Sequence, residues 1–91
     1  MKTVYIDGPL DAVHLDEVKQ KIAEAATELG DIITLDCTAM SYICSSGLRV
    51  FLQMHKEVTA AGGKLIIKGL QPLVKNVFDM TGFSQIFNIE A

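Results

Sequence analysis

Two adjacent serines, Ser45 and Ser46, are the side chains of this sequence with the clearest chemical potential. They lie where a run of strand type, ending at Ile43, meets an amphipathic helical segment. A serine at a helix N-terminus either caps the free amide groups of the first turn or presents its hydroxyl to a partner. Two neighbouring serines permit one of each role. We therefore expect the working site at this junction.

Angular placement along the helix favours Ser46 as the presented hydroxyl. With about 100° per residue, the core-facing positions after the junction share one face: Leu48, Phe51, Leu52, His55 and Val58. The opposite face holds Arg49, Gln53, Lys56, Glu57 and Ala60, with Val50 and Met54 at the boundary. Ser46 falls on the solvent side, near Gln53. Gly47 removes a side chain beside it, which would let the backbone of another protein approach closely.

Neither serine lies in a pattern typical of an enzymatic nucleophile. No G-x-S-x-G elbow surrounds them, and only His14 and His55 could act as a base. His55 falls on the core face, where we favour a partly buried histidine bonded to backbone. The carboxylates match no metal-binding loop, and the glycines form no dinucleotide- or phosphate-binding motif. The sequence therefore predicts no catalytic residue, no metal site and no cofactor, and hence no enzyme.

Two cysteines, Cys37 and Cys44, are too few and too far apart for a disulfide framework or a zinc site. Cys44 stands beside the serines, and a thiol at a helix N-terminus can be redox-sensitive. A small buried cysteine is the interpretation that we favour.

Composition predicts one globular domain, residues 1–91, with an aliphatic core, because 49% of the residues are hydrophobic and only 7% are aromatic. The net charge of −3 is dispersed, which disfavours binding to nucleic acid. No apolar run approaches the roughly 18 residues of a membrane span. The first residues lack the apolar core of a signal peptide. These features favour a cytoplasmic protein with no membrane or nucleic-acid partner.

The pattern of elements predicts an α/β fold in the order β-α-β-α-β-α-β. We expect strands at residues 3–6, 32–37, 64–68 and 86–89. Helices should cover residues 11–29, the segment from the serines to the break at 61–63, and the segment from Gln71-Pro72 to Gly82. Right-handed crossovers turn this order into a mainly parallel four-stranded sheet with helices packed on it.

The apolar spacing of the last helix predicts which of its residues face the core. Its inner face should hold Leu73, Val77 and Met80, with Val74 and Phe78 beside them. Three helices cannot cover both faces of a four-stranded sheet thickly. We therefore expect one thinly protected edge or face, where a weak homodimer would form.

Several short motifs between about Asp7 and Ile89 together resemble the STAS domain, the fold of bacterial anti-sigma factor antagonists and of the cytosolic tails of sulphate transporters. Residues 8–12 (GPLDA) look like the family's G-x-L-D-A entry to the first helix, and residues 45–48 (SSGL) look like D-S-S-G-L. Residues 33–36, 62–65 and 80–83 also match family segments. Cys44 stands where the family usually has Asp. Most of the usual N-terminal strand is lacking, so we expect a sheet one strand short or completed by another chain.

The resemblance implies a regulatory role. In the family, the second serine of D-S-S-G is phosphorylated by a partner anti-sigma factor that is itself a serine kinase, which points to Ser46. The unphosphorylated antagonist captures the anti-sigma factor and frees the sigma factor, and a PP2C-type phosphatase restores capture. Partner binding would then use a set of residues at the helix start: Ser45, Ser46, Gly47, Arg49, Val50 and Gln53.

Two alternatives remain open. The chain resembles small STAS proteins that act as constitutive structural subunits docked on ABC-transporter ATPases, and Cys44 in place of Asp favours this alternative. In that case the helix face would bind permanently, and Ser46 would act only as a cap. A weaker alternative is a thiol-based sensor that uses Cys44.

Overall fold

The fold is built on a four-stranded parallel sheet. A computed structural model describes residues 2–26 and 29–90. Strands β1 (Lys2–Tyr5), β3 (Ile32–Asp36), β5 (Lys64–Lys68) and β6 (Asn88–Glu90) lie in the order β1-β3-β5-β6, and each neighbouring pair is parallel. The predicted α/β class and the mainly parallel four-stranded sheet are confirmed.

A second, smaller sheet was not predicted. Strands β2 (Gly8–Leu10) and β4 (Met40–Ile43) pair in parallel, with Pro9 opposite Tyr42 and Leu10 opposite Ile43. The residues Asp7-Gly8-Pro9 are typical of a turn, and Gly8 does adopt a positive φ of 67°. The short strand that starts there cannot be predicted from hydrophobic periodicity, because three residues cannot establish an alternation.

Side-chain alternation gives the main sheet one buried face and one open face. Ile33, Leu35, Leu65 and Ile67 are fully buried beneath the helices. Their neighbours in each strand point the other way, and most residues on that outer face are exposed: Thr3, Tyr5, Ile32, Lys64, Lys68, Asn88 and Glu90. The thinly protected face that we expected is therefore present. Self-association through it or its edges stays a prediction.

Three helices cover the buried face: α1 (Leu15–Ala25), α2 (Ser45–Ala60) and α3 (Pro72–Thr81), the last followed by a short 3₁₀ turn at Phe83–Gln85. Helix α1 packs against β1 and α2, and α2 packs against β5. A ring contact between Phe51 and Phe78, with centroids 6.4 Å apart, joins α2 to α3. Phe87 is the third buried aromatic residue, and most of the remaining core is aliphatic, as the composition predicted.

The first helix is shorter than predicted. It covers Leu15–Ala25 rather than 11–29, because the Asp11 carboxylate accepts hydrogen bonds from the backbone N–H groups of Val13 and His14 and holds this segment in a turn. Leu29, the last residue of the predicted helix, lies beyond the observed one and is 87% exposed. Residues 27 and 28 lie outside the described part of the chain.

The inner face of α3 is rotated from the predicted one. Val74 and Phe78 are buried, and Val77 is partly buried, but Leu73 and Met80 are exposed, so their assignment to the inner face was wrong. The rotation follows from aromatic packing, because the Phe78 ring contacts both Phe51 and Phe87. The last strand, predicted at 86–89, begins two residues later at Asn88, after the 3₁₀ turn.

Truncation of neighbouring residues on α3 tests this rotation. Val74→Ala should lower the free energy of unfolding by about 1.5–2 kcal/mol, because it removes two buried carbons and leaves a cavity. Leu73→Ala removes more atoms but should change stability by less than about 0.5 kcal/mol, because the side chain is exposed. Urea unfolding of both variants measures the difference. If Leu73→Ala lowered the free energy of unfolding more than Val74→Ala, the inner face predicted from the sequence would be the correct one.

Candidate functional site

The two small strands fix the start of α2. Strand β4 ends at Ile43, and the backbone N–H of Cys44 donates to the carbonyl of Leu10 at the end of β2, at 3.1 Å. The Leu10 and Ile43 side chains are both buried under the first helical turn. The chain therefore enters α2 at a position held by backbone pairing from one side and by apolar packing from below.

Cys44, not a serine, caps α2. Its backbone is extended (φ −91°, ψ 171°), and its Sγ accepts a hydrogen bond from the Gly47 N–H at 3.4 Å. Our expectation that one of the two serines caps the helix was therefore wrong. The expectation of a small buried thiol at this position was wrong as well, because Cys44 is partly exposed. Sulfur is a weak acceptor, so this N-terminus is held less firmly than one capped by oxygen.

The two serines occupy the first and second positions of α2. Ser45 is exposed and Ser46 is partly exposed. Across the described residues, the only buried side-chain N or O atom without a partner is Nδ1 of His55, and no hydrogen bond involves the Ser46 hydroxyl. The Ser46 oxygen therefore reaches solvent and is not used by the fold.

Gly47 is buried behind the serines. A Cβ atom there would lie 2.9 Å from Cγ1 of Ile43 and 3.2 Å from the Leu10 side chain. The glycine thus lets the first turn of α2 sit directly on β2 and β4. Its predicted contact with a partner stays a prediction, and the structure gives the residue an internal role that the sequence did not indicate.

The other predicted partner-binding residues form one surface with the serines. Arg49 and Gln53 are exposed and Val50 is partly exposed. We call Ser45, Ser46, Arg49, Val50 and Gln53 the α2 surface. Arg49 carries its only charge. The helix faces match the angular prediction apart from Met54, which is buried rather than at the boundary.

An aromatic residue beside this surface was missed. Tyr42 is 54% exposed on β4, three residues before Ser45, and pairs in register with exposed Pro9. Tyr42 and the buried Ile43 that follows it alternate between the two sides of β4, as expected for a strand with one exposed face. Because β4 is too short to be predicted from the sequence, the side to which Tyr42 points could not be assigned.

The two histidines do not form a catalytic group with the serines. His14 Nδ1 lies 2.7 Å from Asp11 Oδ1 on the exposed start of α1. His55 is partly buried, as predicted, with its ring edge against Phe87 at a centroid distance of 5.3 Å. The backbone bond that we expected is not seen at its Nδ1, which has no partner among the described residues.

Other chemical groups lie away from the α2 surface. Cys37 is buried, and burial, with the Asp36 charge adding to it, raises the pKa of its thiol to about 12. Within residues 2–26 and 29–90, no group of three His, Cys, Asp or Glu side chains could hold a metal ion. None of the helices described is long and apolar enough to cross a bilayer.

Comparisons with known proteins agree on one family. The sequence profile of the STAS domain matches residues 1–91. The anti-sigma-B factor antagonist of Bacillus subtilis is 32% identical over 88 residues, which cover 97% of this chain and 80% of that protein.

Two solved structures share the fold at lower identity. The Bacillus cell fate determinant SpoIIAA in its phosphorylated form has a TM-score of 0.72 and 23% identity, covering 98% of this chain and 80% of that one. A sulfate transporter family protein from Wolinella succinogenes has a TM-score of 0.84 and 14% identity, and the match covers 98% of this chain and 75% of that one.

Replacing the sulfur cap by a carboxylate tests the capping assignment. Cys44→Asp should raise the free energy of unfolding by about 0.5–1 kcal/mol, because an ionised side-chain oxygen is a stronger N-cap than a thiol. The gain should fade as the pH falls and the carboxylate is protonated. The gain in stability is measured from the midpoint of urea unfolding, provided that the slope of the unfolding free energy against urea concentration is unchanged. Cys44→Ala is the control without a side-chain acceptor. An unchanged or lower midpoint for Cys44→Asp at neutral pH would contradict the assignment.

Proposed function

The chain belongs to the STAS domain family, and we propose that it is a cytoplasmic anti-sigma factor antagonist that docks through the α2 surface and is switched by phosphorylation of Ser46. In this proposal the unphosphorylated protein captures an anti-sigma factor that is itself a serine kinase and thereby releases a sigma factor. Phosphorylation ends the capture, and a PP2C-type phosphatase reverses it. The protein acts by binding and performs no catalysis.

One observation carries the proposal: the Ser46 hydroxyl is accessible and has no role in the fold. The α2 N-terminus is capped by Cys44, and no side-chain hydrogen bond among the described residues uses the Ser46 hydroxyl. Modification of this oxygen therefore breaks no internal contact. Ser45 is also exposed, but the family's phosphoacceptor is the second serine of the motif, which corresponds to Ser46.

The helix end tolerates the added charge. A phosphoserine carries roughly −1.5 to −2 charges at neutral pH, and backbone N–H groups at a helix N-terminus attract anions. Arg49, one turn further along α2 and exposed, adds a positive charge on the same surface. The buried contacts of Leu10, Ile43 and Gly47 lie beneath the turn, away from the hydroxyl. We therefore expect the phosphorylated protein to keep its fold.

Docking changes even though the fold does not. Contact through the α2 surface requires desolvation of whatever stands at its centre, and burying a dianion costs several kcal/mol unless the partner supplies matching charges. Each 1.4 kcal/mol changes affinity tenfold. Phosphorylation can thus reduce binding by about a hundredfold or more without a conformational change.

A second candidate function uses the same surface without a switch. Cys44 replaces the Asp that usually precedes the serines, so a carboxylate that could orient a kinase is missing. This difference favours a constitutive scaffold subunit that docks permanently on a partner such as an ABC-transporter ATPase. The two candidates differ in one measurable property, the phosphorylation of Ser46.

Phosphorylation of purified protein distinguishes them. With ATP and its cognate anti-sigma factor kinase, the protein should gain one phosphate by intact-mass spectrometry, located on Ser46 by peptide fragmentation. Ser46→Ala should abolish the reaction, because it removes the acceptor oxygen. Ser45→Ala, a matched change one residue earlier, should still be phosphorylated. Absence of phosphate on Ser46 would favour the scaffold subunit.

A charge mimic separates surface effects from structural ones. Ser46→Asp should unfold within a few degrees of the unmodified protein but bind the kinase at least tenfold more weakly. Ser46→Asn has nearly the same shape without the charge and should retain most of the affinity. Calorimetric titration and thermal unfolding measure both properties. Equal losses of binding for Asn and Asp, or an unfolded Asp variant, would contradict switching by surface charge.

A further inference from the structure

Strand β1 leaves one edge of the main sheet open. It pairs with β3 on one side, and no other strand in the described part of the chain pairs with its outer side. Beyond this edge lies a shallow groove between β1 and α1, with Lys21 and Glu24 on its helical wall. An open edge is a template for another strand, because its backbone N–H and C=O groups lack partners in the sheet.

The hydrogen-bond pattern identifies the backbone groups at the open edge. The N–H of Ile6 donates to the carbonyl of Asp36 on β3, so Ile6 points its backbone groups toward the interior of the sheet. Successive residues of a strand alternate in this direction. Val4 therefore points toward β3 as well, and Thr3 and Tyr5 direct their N–H and C=O groups outward into the groove.

Strand β1 has no proline, no bulge and no outward lysine, which are three of the features that prevent pairing at a sheet edge. The one charged residue of β1, Lys2, directs its ammonium to the carbonyl of Ala25 and to Asp31, at 2.6 and 3.1 Å. The exposed side chains of the strand are Thr3 and Tyr5, both good strand formers. The opposite edge, β6, has only three residues, and one of them is Glu90.

We propose that β1 pairs antiparallel with β1 of a second copy of this chain, about a two-fold axis that passes through Val4. In this register Thr3 faces Tyr5 of the partner subunit. Each such pair exchanges two N–H···O=C hydrogen bonds, so the two symmetric pairs make four, and the outward groups of both strands are all used. The two sheets join into one of eight strands. An aromatic side chain also lies beside a β-branched one across each pair, which is a favourable combination.

The charges along the groove are complementary under the same two-fold axis. The end of α1 lies near the start of β1, because Lys2 bonds the Ala25 carbonyl, and Glu24 is therefore at the Thr3 end. Lys21 lies at the other end, where it also lines a cavity with Ile6 and Asp7. The axis through Val4 places Lys21 of each copy beside Glu24 of the partner subunit. The ion pair between Lys21 Nζ and Glu17 Oε1 on the same helix is long, at 3.6 Å, and exposed. Lys21 can therefore pair with a residue of the partner subunit instead.

This interface uses no residue of the α2 surface and goes beyond the proposed function. Oligomeric state therefore tests it separately from phosphorylation or partner capture. Sedimentation of the 91-residue chain should show a reversible monomer–dimer equilibrium, and Ser46→Ala should leave it unchanged. A protein that stays monomeric at every concentration tested would overturn the proposal.

Amide exchange gives a residue-level test. The N–H groups of Thr3 and Tyr5 should become protected from hydrogen–deuterium exchange as protein concentration rises, whereas those of Val4 and Ile6 should be protected at all concentrations. The isolated protein could instead leave the Thr3 and Tyr5 N–H groups unprotected at every concentration, with protection appearing only when another protein or peptide is added. That result would assign this edge to a different partner and overturn the dimer.

Variants test the contacts one by one. Thr3→Pro removes an outward N–H and should weaken the dimer at least tenfold, while Thr3→Ala keeps the N–H and should retain most of the association. Circular dichroism checks that both stay folded. Lys21→Glu and Glu24→Lys should each weaken the dimer, and the double swap should restore it. Equal effects of Pro and Ala, or no rescue by the double swap, would contradict this interface.

Disulfide trapping tests the register. In a Cys44→Ser background, an oxidised mixture of Thr3→Cys and Tyr5→Cys proteins should form mainly the mixed disulfide, because residues 3 and 5 of opposite copies face each other at a Cα separation of about 5.5 Å. A predominance of disulfides between identical variants would contradict the antiparallel register about Val4.

Discussion

The rest of the site depends on the close contact between the first turn of α2 and the small β2–β4 sheet. Gly47 has no room for a side chain against Leu10 and Ile43, and the Cys44 amide is bonded to the Leu10 carbonyl. This contact sets the position and direction of the helix start before any side chain of the α2 surface is considered. The Ser46 hydroxyl is consequently held on this support without a hydrogen bond of its own among the described residues, and the proposed switch depends on that independence.

Much of the fold could be predicted from the sequence, because its long elements are strongly periodic. The four strands of the main sheet and the exposed face of α2 followed from hydrophobic spacing. The aromatic packing of Phe78 on Phe51 and Phe87 could not, so Leu73 and Met80 were placed in the core when the structure exposes both. Spacing defines an apolar stripe only to within about one residue, and tertiary contacts decide which edge of the stripe is buried.

The junction before α2 lies where the sequence predicted it, at Ser45, but the structural roles of the residues around it were less predictable. The N-cap of a helix usually has a side-chain oxygen. The sequence therefore pointed to one of the two serines as the cap and not to Cys44. The role of Gly47 depends on β2 and β4, which are too short to be recognised from their pattern. Position 44 is the N-cap of α2 in this chain, so a carboxylate placed there by substitution would be expected to cap the helix.

The separation of the helix cap from the proposed phosphoacceptor has an evolutionary consequence. Cys44 caps the helix end, and the Ser46 hydroxyl makes no hydrogen bond within the described residues. Selection can therefore strengthen or weaken the anchorage of the helix through position 44 while the hydroxyl two residues later keeps its chemistry. Under the proposed function, paralogues in one cell can diverge in thermal tolerance through position 44 while an equivalent serine stays open to modification, and the neighbouring surface positions are left to discriminate between partners.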